Sequence, residues 1–189
     1  MFKKQTDNRV AVFFADGCEE IEGLTVVDLL FRAGIPCDMV SVSGSYQVTS
    51  SHEVTFLCNK LISEVDINAY AMLVLPGGIP GTPNLAATDS LMQAVDSFAA
   101  QEKPLAAICA APSIYAERGL LSGVRATANP GFQHVLVEKG ALLSKDPVVV
   151  DGPFITSQGA GTAVAFGLEI VRYFLGDAAV LRVRDGIAL

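Results

Sequence analysis

Cys109 is the residue whose type and position most favour chemistry. It follows the apolar run Leu105–Ile108, and the small residues 110–112 after it are typical of the start of a helix. A strand that turns directly into a helix brings the backbone close to the nucleophile, and the small side chains of Ala107 and Ala111 leave room for such a turn. Because amide groups at a helix start stabilise a thiolate, we expect a lowered pKa for Cys109. The alternative role is that of a small buried hydrophobic residue, which is common for unpaired cysteines.

Glu22 is the predicted proton carrier. It lies with Glu19 and Glu20 at the start of a predicted helix, where carboxylates compensate the positive end of the helix dipole. That role suits Glu19 and Glu20, whereas Glu22 falls inside an otherwise apolar segment. If Glu22 is buried beside Cys109, its pKa rises and it can exchange protons with the sulfur or with a substrate. The sequence therefore predicts a thiol and a carboxyl in one site.

Backbone amides complete the predicted site. Gly77 and Gly78 follow Pro76 at the end of a buried strand, and glycine leaves its N–H group free of side-chain obstruction. Together with the Ala110 N–H, these groups could stabilise a developing oxyanion. A Gly-Gly pair is also an ordinary turn, and this alternative stays open.

The spacing of the histidines and of the remaining cysteines does not predict a metal site. His52 and His134 are far apart in sequence, so a zinc site would need an unusual long-range assembly. Either histidine could approach Cys109 in space, but we interpret both as exposed or packing residues, which argues against a Cys-His-Asp triad. The four cysteines are widely spaced without a C-x-x-C pair, so free thiols are predicted. The glycine-rich segment 157–162 lacks the spacing of a nucleotide-binding loop. We therefore predict no metal and no other cofactor.

Composition indicates one globular domain over residues 1–189. The chain is 51% hydrophobic and 17% charged, which permits a substantial core. A net charge of −7 without a cluster of Lys and Arg argues against a nucleic-acid partner. No apolar run reaches the roughly 18 residues of a membrane span, and polar residues rather than a signal-peptide core follow Lys3 and Lys4. The expected location is the cytoplasm, with no membrane partner.

Strand and helix patterns alternate along the chain. Apolar runs predict strands at 10–15, 37–42, 71–75, 105–108, 125–128, 148–150 and 154–157, with a hairpin at 47–57. Helices are predicted at 21–33, 84–101, 113–118, 131–139, 162–175 and 178–185. This alternation indicates an α/β fold whose open, mostly parallel sheet is covered on both faces. Ligands bind beyond the carboxyl ends of such strands, where the loops 16–22, 76–81 and 109–112 are expected.

Four segments of the chain resemble the ThiJ/PfpI superfamily and, within it, the parkinsonism-associated deglycase (DJ-one) branch. They are DGCEEIE at 16–22, VLPGG at 74–78, AAICAAP at 106–112 and TSQGAGT at 156–162, in family order over nearly the whole chain. The resemblance implies a flavodoxin-like three-layer sandwich with a cysteine nucleophile elbow, usually assembled as a homodimer. It also implies that Cys109 is the reactive thiol, that a protonated Glu22 hydrogen-bonds to it, and that the N–H groups of Gly78 and Ala110 are oxyanion donors.

Three positions depart from the family pattern. The protease branch has a histidine directly after the cysteine, so Ala110 argues against a peptidase. Several members of the deglycase branch have a histidine near the cysteine after the next strand, where this chain has Asn129, and His52 stands where some relatives have an arginine. We expect Gly77, Asn129 and His52 to line the substrate pocket.

The resemblance implies a cofactor-independent glyoxalase or deglycase. Its substrates would be methylglyoxal or glycated thiols and amines, which a reactive cysteine attacks at the carbonyl carbon. The alternative is an oxidative-stress sensor or chaperone-like protein, in which peroxide converts Cys109 to a sulfinate without substrate turnover.

Overall fold

A seven-stranded sheet forms the centre of the computed structural model, which describes residues 2–189; Met1, the first residue of the predicted domain, lies outside them. Its strands are β1 (Val10–Phe14), β2 (Cys37–Ser41), β5 (Lys60–Leu61), β6 (Met72–Leu75), β7 (Leu105–Ile108), β10 (Val148–Asp151) and β11 (Phe154–Ser157). Across the sheet they follow the order β10-β11-β7-β6-β1-β2-β5. Neighbouring strands are parallel except β10, which pairs antiparallel with β11. The predicted mostly parallel sheet is confirmed.

Six α-helices occur within residues 2–189. They are α1 (Glu20–Ala33), α2 (Gly81–Ala86), α3 (Asp89–Ala100), α4 (Pro112–Glu117), α5 (Gln133–Glu138) and α6 (Ala163–Gly186). Two small sheets accompany them: β3 (Gln47–Thr49) pairs antiparallel with β4 (Thr55–Leu57), and β8 (Arg125–Ala126) pairs parallel with β9 (Leu142–Leu143). In the part of the chain that the structure describes, no helix combines the length and apolar character that crossing a bilayer requires.

Alternate side chains of β1 enter two different cores. Val10, Val12 and Phe14 pack in the layer that contains the buried residues of α1 and α6. Ala11 and Phe13 point to the opposite layer, which contains buried residues of α2, α3, α4 and α5. Because successive side chains of a strand point to opposite faces, a strand covered on both sides must be apolar throughout. The result is a three-layer sandwich, as the sequence predicts.

The packing of α1 against β1 depends on Gly23. A Cβ atom at this position would lie 2.2 Å from Cε1 of Phe14, so a larger residue would force the helix or the ring to move. The Phe14 ring is itself buried and packs edge-on against Phe56, with ring centroids 5.1 Å apart. Gly23 directly follows Glu22, so this contact fixes the depth at which the Glu22 side chain enters the protein.

Several elements differ from their predicted bounds. The helix predicted at 84–101 is divided into α2 and α3, because the backbone at Thr88 is extended. By contrast, the two helices predicted at 162–175 and 178–185 are both present, because α6 is divided by a kink at Gly176, where φ is 72° and ψ is −178°. The strand predicted at 125–128 is shortened to β8 and lies outside the main sheet, while the Thr127 N–H donates to the Thr156 side chain.

We expect Gly23→Ala to destabilise the protein. Overpacking of a core typically costs about 1–3 kcal/mol, more than the roughly 1 kcal/mol that alanine gains over glycine in a helix. Gly186→Ala is the matched control, because no atom lies within 4 Å of a Cβ at that helical position. Urea unfolding followed by circular dichroism measures both variants. Equal free energies of unfolding for the two would show that the close approach of α1 to Phe14 contributes nothing.

Candidate active site

Four segments meet at the carboxyl edge of the parallel strands. They carry Glu22 in α1 after β1, Gly77 and Gly78 after β6, Cys109 and Ala110 after β7, and Gly159 and Ala160 after β11. The first three correspond to the loops in which the sequence predicts a ligand site. The strands β11, β7, β6 and β1 are consecutive in the sheet, so their carboxyl ends bring these residues together.

Cys109 occupies a strained backbone conformation. Its φ of 65° lies in the left-handed region, which residues with a side chain seldom adopt. Two hydrogen bonds hold it there: the Cys109 N–H donates to the Ser157 carbonyl at 3.0 Å, and the Asn129 N–H donates to the Cys109 carbonyl at 2.9 Å. The predicted sharp turn between strand and helix is therefore present and is fixed by neighbouring elements on both sides.

Gly77 brings the carboxyl and the thiol close together. A Cβ atom on Gly77 would lie 2.6 Å from the Cys109 Cβ and 2.9 Å from Oε2 of Glu22, so no other residue fits without displacing one of them. The Gly77 N–H donates to the same Oε2 atom at 2.8 Å. This amide therefore serves the carboxyl, and it is not free to act with Gly78 and Ala110 as an oxyanion donor.

Glu22 is almost completely buried, with 1% of its surface exposed. Burial raises the pKa of Glu22 to about 7, although hydrogen bonds from the Gly77 N–H, the Cys109 side chain and the Ala160 N–H act in the opposite direction. A carboxyl with this pKa gains and loses a proton near neutrality, which general acid–base chemistry requires.

Burial also raises the pKa of Cys109, to about 12, and the neighbouring Glu22 carboxyl adds to this shift. The backbone N–H groups of Gly78 and Ala110 lower the pKa of Cys109, but they do not outweigh burial and the nearby negative charge. The lowered pKa expected from a helix start is therefore wrong. The sequence shows that a helix follows Cys109, but not that the thiol is buried against a carboxylate.

Glu22 and Cys109 titrate as a pair because each affects the charge of the other. The first proton leaves near the Glu22 pKa of about 7, and the second is retained until far more alkaline conditions. Above neutrality the pair thus holds one proton between the carboxyl and the sulfur. In this state Glu22 is a carboxylate, which can act as the base that takes the proton of the Cys109 thiol.

His52 lies at the rim of the site, in the turn between β3 and β4. Its Nδ1 is 3.1 Å from Oε2 of Glu20 and 3.6 Å from Oε2 of Glu19, and 60% of its side chain is exposed. The hydrogen bond to Glu20 and the negative charge of Glu19 raise the pKa of His52. The Glu19 N–H donates to the Gly77 carbonyl, so His52 is joined to the site through Glu19.

Glu19, Glu20 and His52 are also the residues that could hold a metal ion. Their ligand atoms lie within 4.8 Å of one another, a distance found among no other such group in residues 2–189. Exposed acidic groups often form such clusters without a metal, and the hydrogen bond between His52 and Glu20 accounts for this one.

Asn129 lies beside the reactive pair, since its N–H donates to the Cys109 carbonyl. A Cβ atom on Gly159 would be 3.5 Å from Nδ2 of Asn129 and 3.8 Å from Oε1 of Glu22, so the two side chains face the same small gap. The other histidine, His134, is exposed on α5, in agreement with the surface position predicted for it.

Gly159 and Ala160 also belong to the site, although the sequence did not predict a role for them. The Ala160 backbone lowers the pKa of Glu22, and Gly159 borders the gap beside its carboxyl. The segment 157–162 lacks the spacing of a nucleotide-binding loop, and within TSQGAGT it contributes to the family resemblance without an assigned role. The signal that could have identified it is a glycine-rich turn directly after a buried strand, which in a parallel sheet ends at the same edge as the other loops.

The chain is similar in sequence to proteins of a known family. Residues 8–173 match the DJ-1/PfpI family. Protein DJ-1 homolog B of Arabidopsis thaliana is 36% identical over 169 residues, which cover 89% of this chain but only 38% of the plant protein. The glutathione-independent glyoxalase DJ-1 of Schizosaccharomyces pombe is 31% identical over 170 residues, 86% of this chain and 89% of the yeast protein. The chain thus spans well under half of the plant relative.

Solved structures show the same fold. Drosophila melanogaster DJ-1beta superimposes with a TM-score of 0.92 at 32% identity, covering 97% of this chain and 99% of that one. Oxidised DJ-1 of Toxoplasma gondii superimposes with a TM-score of 0.90 at 30% identity, covering 96% and 98%.

Glu22→Gln is expected to change how stability depends on pH. The folded-state pKa of Glu22, about 7, exceeds the ordinary value of 4.5, so its contribution to folding is complete below pH 4.5 and is lost as the pH rises to about 7. Over this interval the free energy of unfolding should shift in favour of the variant, relative to wild type, by about 3 kcal/mol. Urea unfolding across the interval measures it, with the exposed Glu138→Gln as control. Parallel curves for wild type and Glu22→Gln would contradict the raised pKa.

Proposed function

The chain belongs to the DJ-1/PfpI family, and we propose that it is a cofactor-independent glyoxalase or deglycase that acts through Cys109. The observation that carries the proposal is the meeting of the Cys109 sulfur with the Glu22 carboxyl and the N–H groups of Gly78 and Ala110. The name of the Schizosaccharomyces pombe relative, a glutathione-independent glyoxalase, supports it. The substrate class is small reactive carbonyls, such as methylglyoxal, and their adducts with thiols and amines.

The first step is addition of the sulfur to the aldehyde carbon. As the C–S bond forms, the thiol proton passes to the Glu22 carboxylate, and the carbonyl electrons move onto oxygen. The N–H groups of Gly78 and Ala110 lower the pKa of the sulfur and are the donors proposed to stabilise that oxygen. Protonation of that oxygen by Glu22 gives a hemithioacetal.

The second step moves a proton between adjacent carbons. The Glu22 carboxylate removes the C–H proton from the former aldehyde carbon, giving an enediolate, and returns it to the neighbouring carbon. The hydroxyl proton of the former aldehyde carbon passes to the neighbouring oxygen, so a thioester carbonyl forms. The product is a lactoyl thioester of Cys109. Water then breaks the C–S bond and releases lactate, so the net reaction adds one water to methylglyoxal and leaves the thiol unchanged. With a glycated thiol or amine, the bond to that group breaks and the thiol or amine leaves with a proton.

A homodimer in the cytoplasm is part of the proposal. Large apolar side chains are exposed on α1 and around the β3–β4 hairpin, at Ile21, Val54 and Leu57. A second copy packed on this surface would remove apolar area from water and cover the rim of the site near His52. The four cysteines are unpaired, which suits a reducing compartment.

The same geometry favours a second function, peroxide sensing. The sulfur would attack one peroxide oxygen, breaking the O–O bond and releasing water, to give a sulfenic acid, and a second peroxide would give the sulfinic acid. The N–H groups of Gly78 and Ala110 and a protonated Glu22 could bind the two sulfinate oxygens. The similar structure from Toxoplasma gondii is that of an oxidised DJ-1.

Lactate formation from methylglyoxal, without glutathione, tests the first function. We expect Cys109→Ser to abolish it and Glu22→Gln to reduce it by about 10²–10⁴, the usual contribution of a general acid–base group. The wild-type rate should rise with pH and level off above about 7, because the active pair holds one proton. Glu22→Gln should lose this inflection. Cys37→Ser, a change at a remote thiol, is the control and should behave as wild type; unaltered turnover in the Cys109 or Glu22 variant would refute the mechanism.

Mass spectrometry after mild peroxide treatment tests the second function. We expect two added oxygens on Cys109 before any on the other cysteines. Cys18 and Cys58 are buried, and the partly exposed Cys37 lacks the two amide donors that lie beside Cys109. Cys109→Ser should leave no site of comparable reactivity. Earlier oxidation of Cys18, Cys37 or Cys58 would count against sensing by Cys109.

A further inference from the structure

His52 compensates the charge of two carboxylates at the rim of the site. Its Nδ1 faces Oε2 of both Glu20 and Glu19, and no Lys or Arg of residues 2–189 forms an ion pair with either carboxylate. Only 14% of the Glu19 side chain and 16% of the Glu20 side chain are exposed, whereas the His52 ring is open to solvent. Carboxylates removed from water need a partner for their charge, and here a single titratable ring supplies it.

Glu19 connects this rim to the reactive pair. It is the N-cap residue of α1 and Glu22 is the third residue of the helix, so the two side chains are neighbours on its first turn. The Glu19 N–H also donates to the carbonyl of Gly77, whose own N–H holds the Glu22 carboxyl. Within residues 2–189, Oε1 of Glu19 is buried without a hydrogen-bond partner, while Oε2 faces His52. The charge of Glu19 is therefore balanced from the rim alone, and on its inner side it contributes to the raised pKa of Glu22.

The other ionisable groups around this connection are acids. They are Asp16 and Cys18 after β1, Glu20 in α1, Glu53 in the β3–β4 turn, Cys58 after β4 and Cys109 after β7. An acid is neutral or negative at every pH, whereas an imidazole is neutral or positive. Among these groups His52 is therefore the one whose protonation adds a positive charge, and its exposed ring exchanges that proton with solvent.

We propose that His52 is a positioning residue of the reaction, whose charge reaches the Glu22–Cys109 pair through Glu19. A positive His52 neutralises Glu19, so Glu22 releases its proton more readily and becomes available as the base. A neutral His52 leaves the charge of Glu19 uncompensated, and Glu22 retains its proton. The hydrogen bond to Glu20 and the charge of Glu19 raise the pKa of His52 above its ordinary 6.5, so both groups change charge near neutrality. The effect on turnover rests on the proposed function, but the charge link itself needs no substrate.

Carbon-detected NMR of the glutamate carboxyls tests the charge link without a substrate. The Glu22 signal is identified by its absence in Glu22→Gln, and its titration in the presence of EDTA gives the pKa directly. We expect His52→Gln to raise the pKa of Glu22 by roughly 0.5–1 pH unit, because a partly screened positive charge is removed, and Glu19→Gln to lower it. His52→Arg keeps a permanent positive charge and should give a pKa at or below that of the wild type. An unmoved Glu22 titration in His52→Gln would overturn the proposal.

Lactate formation from methylglyoxal shows whether the link acts on the reaction. At about pH 6, His52→Gln should be roughly three- to tenfold slower than wild type, the fold-change that corresponds to the expected pKa shift, and it should approach the wild-type rate at alkaline pH. His52→Arg should restore the rate, whereas His134→Gln, at an exposed histidine of α5, should change neither measurement. Equal effects of His52→Gln and His52→Arg would refute a role of charge. If no variant and no wild-type protein forms lactate, the proposed function fails, while the Glu22 titrations still decide the charge link.

Discussion

The site depends on how closely the backbone at Gly77 approaches Cys109 and Glu22. Its Cα hydrogens face two acidic groups that a single added Cβ would push apart, and its N–H holds one oxygen of the carboxyl. This spacing makes a hydrogen bond between Glu22 and the sulfur compatible with burial of both. Two other features contribute to the short distance between Glu22 and Cys109. Gly23 allows α1 to pack closely against Phe14, and β6 and β7 are paired strands whose ends lie side by side.

Burying two acids together has an energetic cost, and the structure shows where it is offset. The charged form of either group is unfavourable in a desolvated site, which is why both pKa values are raised. The left-handed conformation of Cys109 adds a strain of about 1–3 kcal/mol. Backbone hydrogen bonds with Ser157 and Asn129 hold the strained turn at Cys109. The apolar layers on both faces of the sheet stabilise the fold and offset the cost of the strain.

The sequence predicts the features of the fold that follow from the order of its strands and helices and from which residues are buried. The continuous apolar runs of β1 and β7 identify strands covered on both faces, and Cys109 follows directly from the change to small residues after β7. The sequence could not predict the direction in which the pKa of Cys109 is shifted, because that direction depends on burial and on a carboxyl 87 positions earlier in the chain. Nor could it predict the break between α2 and α3, since residues 84–101 keep apolar side chains at helical spacing across Thr88. Gly159 and Ala160 were missed because their contribution is made by the backbone, which residue types do not reveal.

The proton count of the pair connects the two proposed functions. A thiol beside a carboxylate and a thiolate beside a carboxylic acid hold the same single proton, so one protonation state serves addition to a carbonyl and attack on a peroxide. The two functions differ in what they require of Glu22 after the first step. Carbonyl turnover requires the carboxyl to reach two adjacent carbons, whereas stabilising a sulfinate requires only that the protonated carboxyl donate a hydrogen bond to it. The Gly77 N–H bonds to one oxygen of the carboxyl and so restricts its movement. Under the proposed function, a carboxyl held in this way favours short dicarbonyl substrates, because their two carbonyl carbons are directly bonded to each other.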